Sequence, residues 1–296
     1  MPLAMAASPI PPGLSTGFEP AGSPTEATNP FGYVTGSVLF QGDWVGAGQM
    51  PRVQTAAEIS AELAAAGLNP AGPVRSGNQA LLVAKPDTST DVTGYFAENV
   101  FASLIANSKV TIDYWARPLT SGAGADPSGA PMGNGKTIGE RQGNVFIGIS
   151  DENRVRAAAI RFGVTTAPGS PPFYGGIVAR HIDFGSASAG SAVWVDSGFT
   201  WQADQWIHIR LDLDYSTKTY DAYFDGLKAN VDPIRFYSEA SLSPNRLFVS
   251  RGTNQAGMIL DDIRVVPEPA SFGIALVAAL FAIFAGWRRW RSPSIA

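Results

Sequence analysis

The chain has 296 residues, a net charge of −4 from Lys+Arg 21 against Asp+Glu 25, 45% hydrophobic residues and no cysteine. That hydrophobic content is enough to bury a sizeable core and excludes global disorder. The acidic balance argues against nucleic acid as a partner, and the missing thiols exclude disulfides, thiolate catalysis and cysteine-ligated zinc or iron.

The opening "MPLAMAASPIPPG" has no Lys or Arg, the first basic residue being Arg52, and no apolar core of signal-peptide length. Ala4-Met5-Ala6 does have the small-residue form of a signal-peptide cleavage end. The expected reading is an upstream start codon and a mature chain beginning near Ala7. Residues 1–30, rich in Pro, Gly, Ser and Thr, read as a flexible lead-in.

"FGYVTGSVLFQGDW", Phe31 to Trp44, sets apolar and aromatic residues between glycines and is expected to form a first strand pair. Thr55 and Glu58 then make a capping box ahead of "AAEISAELAAAG". Ile59 and Leu63 share one face of that predicted helix, and Gly67 with Pro70 closes it. It reads as an insertion on a β framework.

Beyond it the apolar period is two. "KVTIDYWARP" sets Val110, Ile112 and Tyr114 against Thr111, Asp113 and Trp115, and "NVFIGIS" aligns Val145, Ile147 and Ile149. "RVRAAAIRFGV" is a weaker strand. In "WIHIRLDLDY", Ile207, Ile209, Leu211 and Leu213 face one way while Trp206, His208, Arg210, Asp212 and Asp214 face the other, as in a half-buried strand. A turn at Ser216-Thr217-Lys218 leads into "TYDAYFDG", whose Asp225-Gly226 is a hairpin signal. "RLFVSRG" and "GMILDDIRVV" add two strands. Short strands separated by turn residues predict an antiparallel sandwich.

From Ala270 to Trp287 there is no charged residue. Eighteen helical residues span about 27 Å, close to the hydrocarbon thickness of a bilayer. Trp287 and Trp290 sit where indoles favour the headgroup interface, and Arg288, Arg289 and Arg291 follow on the side the positive-inside rule places in the cytoplasm. A transmembrane helix is expected.

The order Pro267-Glu268-Pro269, apolar span, arginine cluster resembles the PEP-CTERM sorting signal of Gram-negative bacteria. The resemblance covers about the last 30 residues and implies recognition by an exosortase, with removal of the span. A permanent single-span anchor is the alternative. Upstream, "WIHIRLDLDYSTKTYDAYFDG" and "LFVSRGTNQAGMILDDIRV" resemble the laminin-G-like lectin branch of the concanavalin A-like jelly roll. "GYVTGSVLFQGDW" and "SGNQALLV" resemble its opening strands. The fold expected is therefore an all-β antiparallel jelly-roll sandwich over residues 31–266 with one short inserted helix, then the sorting element and transmembrane helix at 267–296.

Chemistry is sparse. Gly135-Lys136-Thr137 mimics a phosphate loop, but without a strand before it or an uninterrupted helix after it. Jelly-roll glucanases use carboxylates spaced as E-x-D-x-E, which this sequence lacks, so an enzyme is not expected. No cofactor is required. Calcium is the ion such lectins use, and Asp151, Asp261 and Asp262 are its candidate ligands. Trp115, Trp194, Trp201 and Trp206 are the candidate sugar platforms, with core packing the competing role of each. The expected protein is exported through the inner membrane to the cell surface or extracellular matrix. There it binds polysaccharide or matrix partners, as in the biofilm setting its sorting signal implies. A carbohydrate-active enzyme and a purely structural envelope protein are the alternatives.

Overall fold

The computed structural model describes residues 14–23, 26, 29, 31–47, 51–65, 69–83, 95–101, 109–119, 145–166, 178–188, 191–201, 204–251 and 258–267. In chain order the elements are β1 (Leu14–Thr16), β2 (Gly36–Ser37), β3 (Trp44–Ala47), β4 (Arg52–Thr55), α1 (Ala56–Ala65), β5 (Gln79–Val83) and β6 (Tyr95–Val100). Then come β7 (Lys109–Pro118), β8 (Val145–Ser150), β9 (Arg156–Thr166), β10 (Val178–Ser188), β11 (Ser191–Thr200) and β12 (Ile207–Asp214). The last are β13 (Thr219–Phe224), β14 (Leu227–Lys228), β15 (Ile234–Arg235), β16 (Arg246–Arg251) and β17 (Met258–Pro267).

The larger sheet runs β14-β13-β12-β7-β17-β5-β4-β2, with β1 added on β17 and β15 on β13. The smaller runs β11-β10-β9-β8-β16-β6-β3. One core joins them. Val110, Ile112, Tyr114, Ile209 and Leu211 of the larger sheet share it with Ile147, Ile149, Ile160, Leu247 and Val249 of the smaller. The strict alternation of β12 explains its placement: burying Ile207, Ile209, Leu211 and Leu213 commits His208, Arg210, Asp212 and Asp214 to the outer face. Among the described residues, the all-β antiparallel class and the one short helix agree with expectation. The candidate phosphate loop and the apolar tail lie outside the described residues. Among the described residues no helix is long and apolar enough to cross a membrane.

Two local expectations are revised. β2 and β3 do not pair with each other: β2 lies on β4 in the larger sheet and β3 on β6 in the smaller. The chain changes sheet through Phe40, Gly42 and Asp43, all at positive φ, with the Phe40 N–H donating to the Trp44 carbonyl. The lead-in also enters the sandwich. β1 pairs with β17, and Leu14 and Phe18 are core residues. This segment is fixed by buried Glu26, which accepts N–H bonds from Gly17 and Glu19. Glu19 in turn accepts from Asn78 and Gln79.

The local signals hold where turn and cap chemistry is explicit. Thr55 Oγ1 accepts from the Glu58 N–H while the Thr55 N–H donates to Glu58 Oε2, the two halves of a capping box. Helix α1 lays Ile59 and Leu63 on Ala80, Leu82 and Ile259, covering one end of the larger sheet's outer face. Asp225 and Gly226, at φ 50° and 80°, form the two-residue turn between β13 and β14.

Candidate functional site

The outer face of the larger sheet that α1 leaves uncovered carries the polar side chains. Trp115 stands on β7 between His208 of β12 and Asp261 of β17. The Arg75 guanidinium carbon lies 4.2 Å from the indole centroid, and the His208 ring lies 4.8 Å away at 33°. His208 Nε2 is 2.9 Å from Asp113 Oδ1. This half-exposed indole is thus packed against a cation and an imidazole. Trp206 is committed as well: its Nε1 donates to the Gly72 carbonyl at 2.9 Å and its ring packs beside the α1 cluster. Trp201 is a core residue, edge-on to Phe162 at 6.0 Å. Trp194 lies in β11 opposite Gly185, and its side chain, like that of His181, is outside the described residues.

At the far end of this face is a groove of about 620 Å³ lined by Lys109, Asp212, Asp214, Thr217, Thr219, Asp221 and Arg235, among others. Asp212 and Asp221 face each other across β12 and β13, a repulsive pair unless neutralised. Arg210 takes both oxygens of Asp212 at 2.8 and 2.7 Å, and Thr111 donates to the same carboxylate. Lys228 lies 3.0 Å from Asp221, which also accepts from Asn230. Burial opposes ionisation of Asp214. Hydrogen bonds from the Ser216 hydroxyl and the Ser216 and Thr217 amides, with the charge of Lys109, outweigh it and hold that carboxyl below its ordinary range. One residue further along β7, Val110 pairs with Pro267, so the groove lies beside the end of β17.

The candidate metal ligands do not converge. Asp151 follows β8 of the smaller sheet, where Oδ1 accepts the Asn153 and Val155 N–H groups and Oδ2 accepts that of Leu242. Asp261 and Asp262 form a bulge in β17 of the larger sheet. Asp261 Oδ2 accepts from the Arg75 and Ser76 amides and Oδ1 from that of Asp262, while Asp262 Oδ1 accepts from the Ser76 hydroxyl. N–H donors thus compete with any cation for the oxygens of Asp151 and Asp261. Among the described residues no three His, Asp or Glu side chains group as a metal site. Of the sorting signal, Pro267 ends β17, while Glu268, Pro269, Arg288, Arg289 and Arg291 lie outside the described residues.

Three side chains that shape these faces escaped the sequence reading. Arg75 supplies the cation on Trp115. Arg117, fully buried, donates to the carbonyls of Asn69, Ala71 and Gly72 and lies 3.6 Å from Asp204. Burial lowers its pKa, and Asp204 opposes that. Buried Glu98 joins Arg154 and Arg246 on the smaller sheet. A signal existed only for Arg117, the lone charge in the strand end "YWARPL".

Comparison with protein-family models and with curated proteins finds no match. Among solved structures the chain is similar to a structure titled "Lectin UEA-II complexed with galactose", at 12% identity, 79% of this chain, 96% of that one and TM-score 0.44. It is also similar to the T. cruzi calreticulin globular domain (10% identity, 86% and 94% covered, TM-score 0.41) and to a sialidase (11%, 76% of this chain, TM-score 0.41). The chain spans only 17% of that sialidase's length. Likenesses this distant carry neither a ligand nor an activity across.

Proposed function

We propose that this chain is an exported binding protein whose concanavalin A-like sandwich holds extracellular polysaccharide or a matrix partner in the groove beside β12 and β13. The observation that supports it is the groove itself. Its volume of about 620 Å³ is in the range of small-ligand sites, and its walls alternate acceptors and donors suited to a polyol. Carboxylates fixed by cations offer acceptor oxygens in set positions, while Lys109, Arg235 and one hydroxyl of the bonded Thr217–Thr219 pair offer donors. Binding without catalysis is the favoured mode. The reading is supported by the lack in the sequence of an E-x-D-x-E run of carboxylates like that of jelly-roll glucanases. A glycan array probed with the full chain in detergent tests this. Binding without sugar release supports it, release of sugar favours a carbohydrate-active enzyme, and silence in both leaves a structural envelope protein.

The sorting half of the proposal rests on the tail's sequence order. An exosortase cuts near Pro267-Glu268-Pro269 and frees the body toward the surface. Intact mass from the native host checks it: loss of residues 270–296 is expected, and a mass retaining them makes the tail a permanent anchor.

A further inference from the structure

We infer that Phe31 and Phe40 form a second, aromatic contact surface for neutral polysaccharide, at the edge where the chain crosses between sheets. The inference rests on the polysaccharide-binding reading above. Phe31 is 88% exposed, Phe40 87% and Val34 69%, in a protein whose other aromatics of this segment are packed inside. Tyr33 and Trp44 lie beneath, with Trp44 Nε1 donating to Tyr33 Oη and both rings against Phe18. The segment therefore has its core anchors already, and the two phenyl rings are additional to them.

The rings are presented on a fixed frame. Gln41 accepts the Val34 N–H through Oε1, and its Nε2 donates to the Val34 and Ser37 carbonyls. Asn29 donates to the Gly32 carbonyl, and a Cβ on Gly42 would lie 2.8 Å from the same Asn29 nitrogen. The Asn29 side chain thus bonds the turn beside Phe31 and lies close against the turn beside Phe40. Phe40 is held at φ 68°, unusual for a bulky residue, while its ring points to water. Strain spent on exposing an apolar ring is a mark of contact with something else.

The ligand class follows from charge. Between Phe31 and Ala47 the only charged residue is Asp43. A loop that docks on an anionic membrane sets cations around its apolar tips, and this one has none. An acidic polysaccharide would likewise meet no cation within this segment, and Arg52, which pairs with Ser37 across the strands, is already bonded to Glu62. The C–H face of a neutral pyranose packs on a phenyl ring, and the exposed Thr35 and Ser37 can meet its hydroxyls.

Native affinity electrophoresis of the full chain in non-ionic detergent tests this, with dextran, galactomannan and laminarin as neutral probes and alginate as the acidic one. At least one neutral probe should retard the wild type. Phe31→Ala/Phe40→Ala should weaken that retardation by about tenfold at an unchanged melting temperature, and Phe31→Trp/Phe40→Trp should keep it. Retardation equal in the alanine variant overturns the surface while leaving the binding reading intact. Preference for alginate overturns the neutral class. No retardation by any probe overturns the polysaccharide reading as well. A dimer that the alanine variant dissociates, with no retardation, gives the surface to a second copy of the chain.

Discussion

Arg117 on β7 and Asp261 on β17, both with no solvent exposure, grip opposite polarities of one loop. Arg117 takes the carbonyls of Asn69, Ala71 and Gly72, and Asp261 takes the N–H groups of Arg75 and Ser76. The loop so held delivers Arg75 onto Trp115 and the Gly72 carbonyl onto Trp206.

Arg117→Met keeps the volume of the stem and removes the three donated bonds. A loss of about 3 kcal/mol is expected, which lowers Tm by roughly 6–12 °C in a domain of this size. A thermal melt checks it, and a variant as stable as the wild type would show that the loop is held by other contacts.

Asp261 gives the fold a pH slope. Burial, and then the neighbouring Asp262, push its carboxyl up to about 8 against the pull of three N–H donors. The unfolded chain releases this proton near pH 4, so between about pH 4 and 8 the folded state holds more protons and stability falls as pH rises. Asp261→Asn, which keeps an acceptor oxygen, should flatten that part of the profile. Denaturant midpoints at pH 5, 7 and 9 decide it, and parallel profiles for the two proteins would refute the assignment.

Gly148 on β8 is packed under Phe248. A Cβ there would lie 2.4 Å from Phe248 Cζ and 2.5 Å from the Ala158 carbonyl oxygen. The second neighbour is backbone, so the ring alone cannot relieve the clash. Gly148→Ala should cost about 2–3 kcal/mol, measured by urea unfolding.

Calcium is expected to add no stability. The amides bonded to Asp151 and Asp261 compete with a cation for those oxygens. Melting curves in EGTA and in excess calcium should superimpose, and a calcium-dependent rise in Tm would restore a lectin-type metal site.

Features written in short-range chemistry were legible. The alternation of Ile207 to Asp214, the Thr55–Glu58 cap and the Asp225-Gly226 turn each depend on neighbours within a few residues. What escaped depends on register between distant strands. Nothing local says that Asp212 meets Asp221, or that Trp115 lies between His208 and the bulge at Asp261. The same holds at the N-terminus. Leu14–Thr16 lies in a Pro/Gly-rich stretch and becomes a strand only because β17 offers it an edge. Tryptophan content does not by itself single out a sugar site, for a physical reason. A large ring is as useful for packing, and Trp201 and Trp206 are used that way.

The central claim is a polyol in the groove at Thr219, which pairs with Asp214 on the outer face next to the facing Asp212 and Asp221. Calorimetric titration of the full chain with the strongest array glycan, compared between wild type and Thr219→Trp, tests it most directly. Filling the groove with an indole should weaken the affinity by about tenfold or more at an unchanged melting temperature, the aromatic surface at Phe31 and Phe40 being left intact. Undiminished affinity in the filled variant would contradict the account and move glycan recognition elsewhere on the molecule.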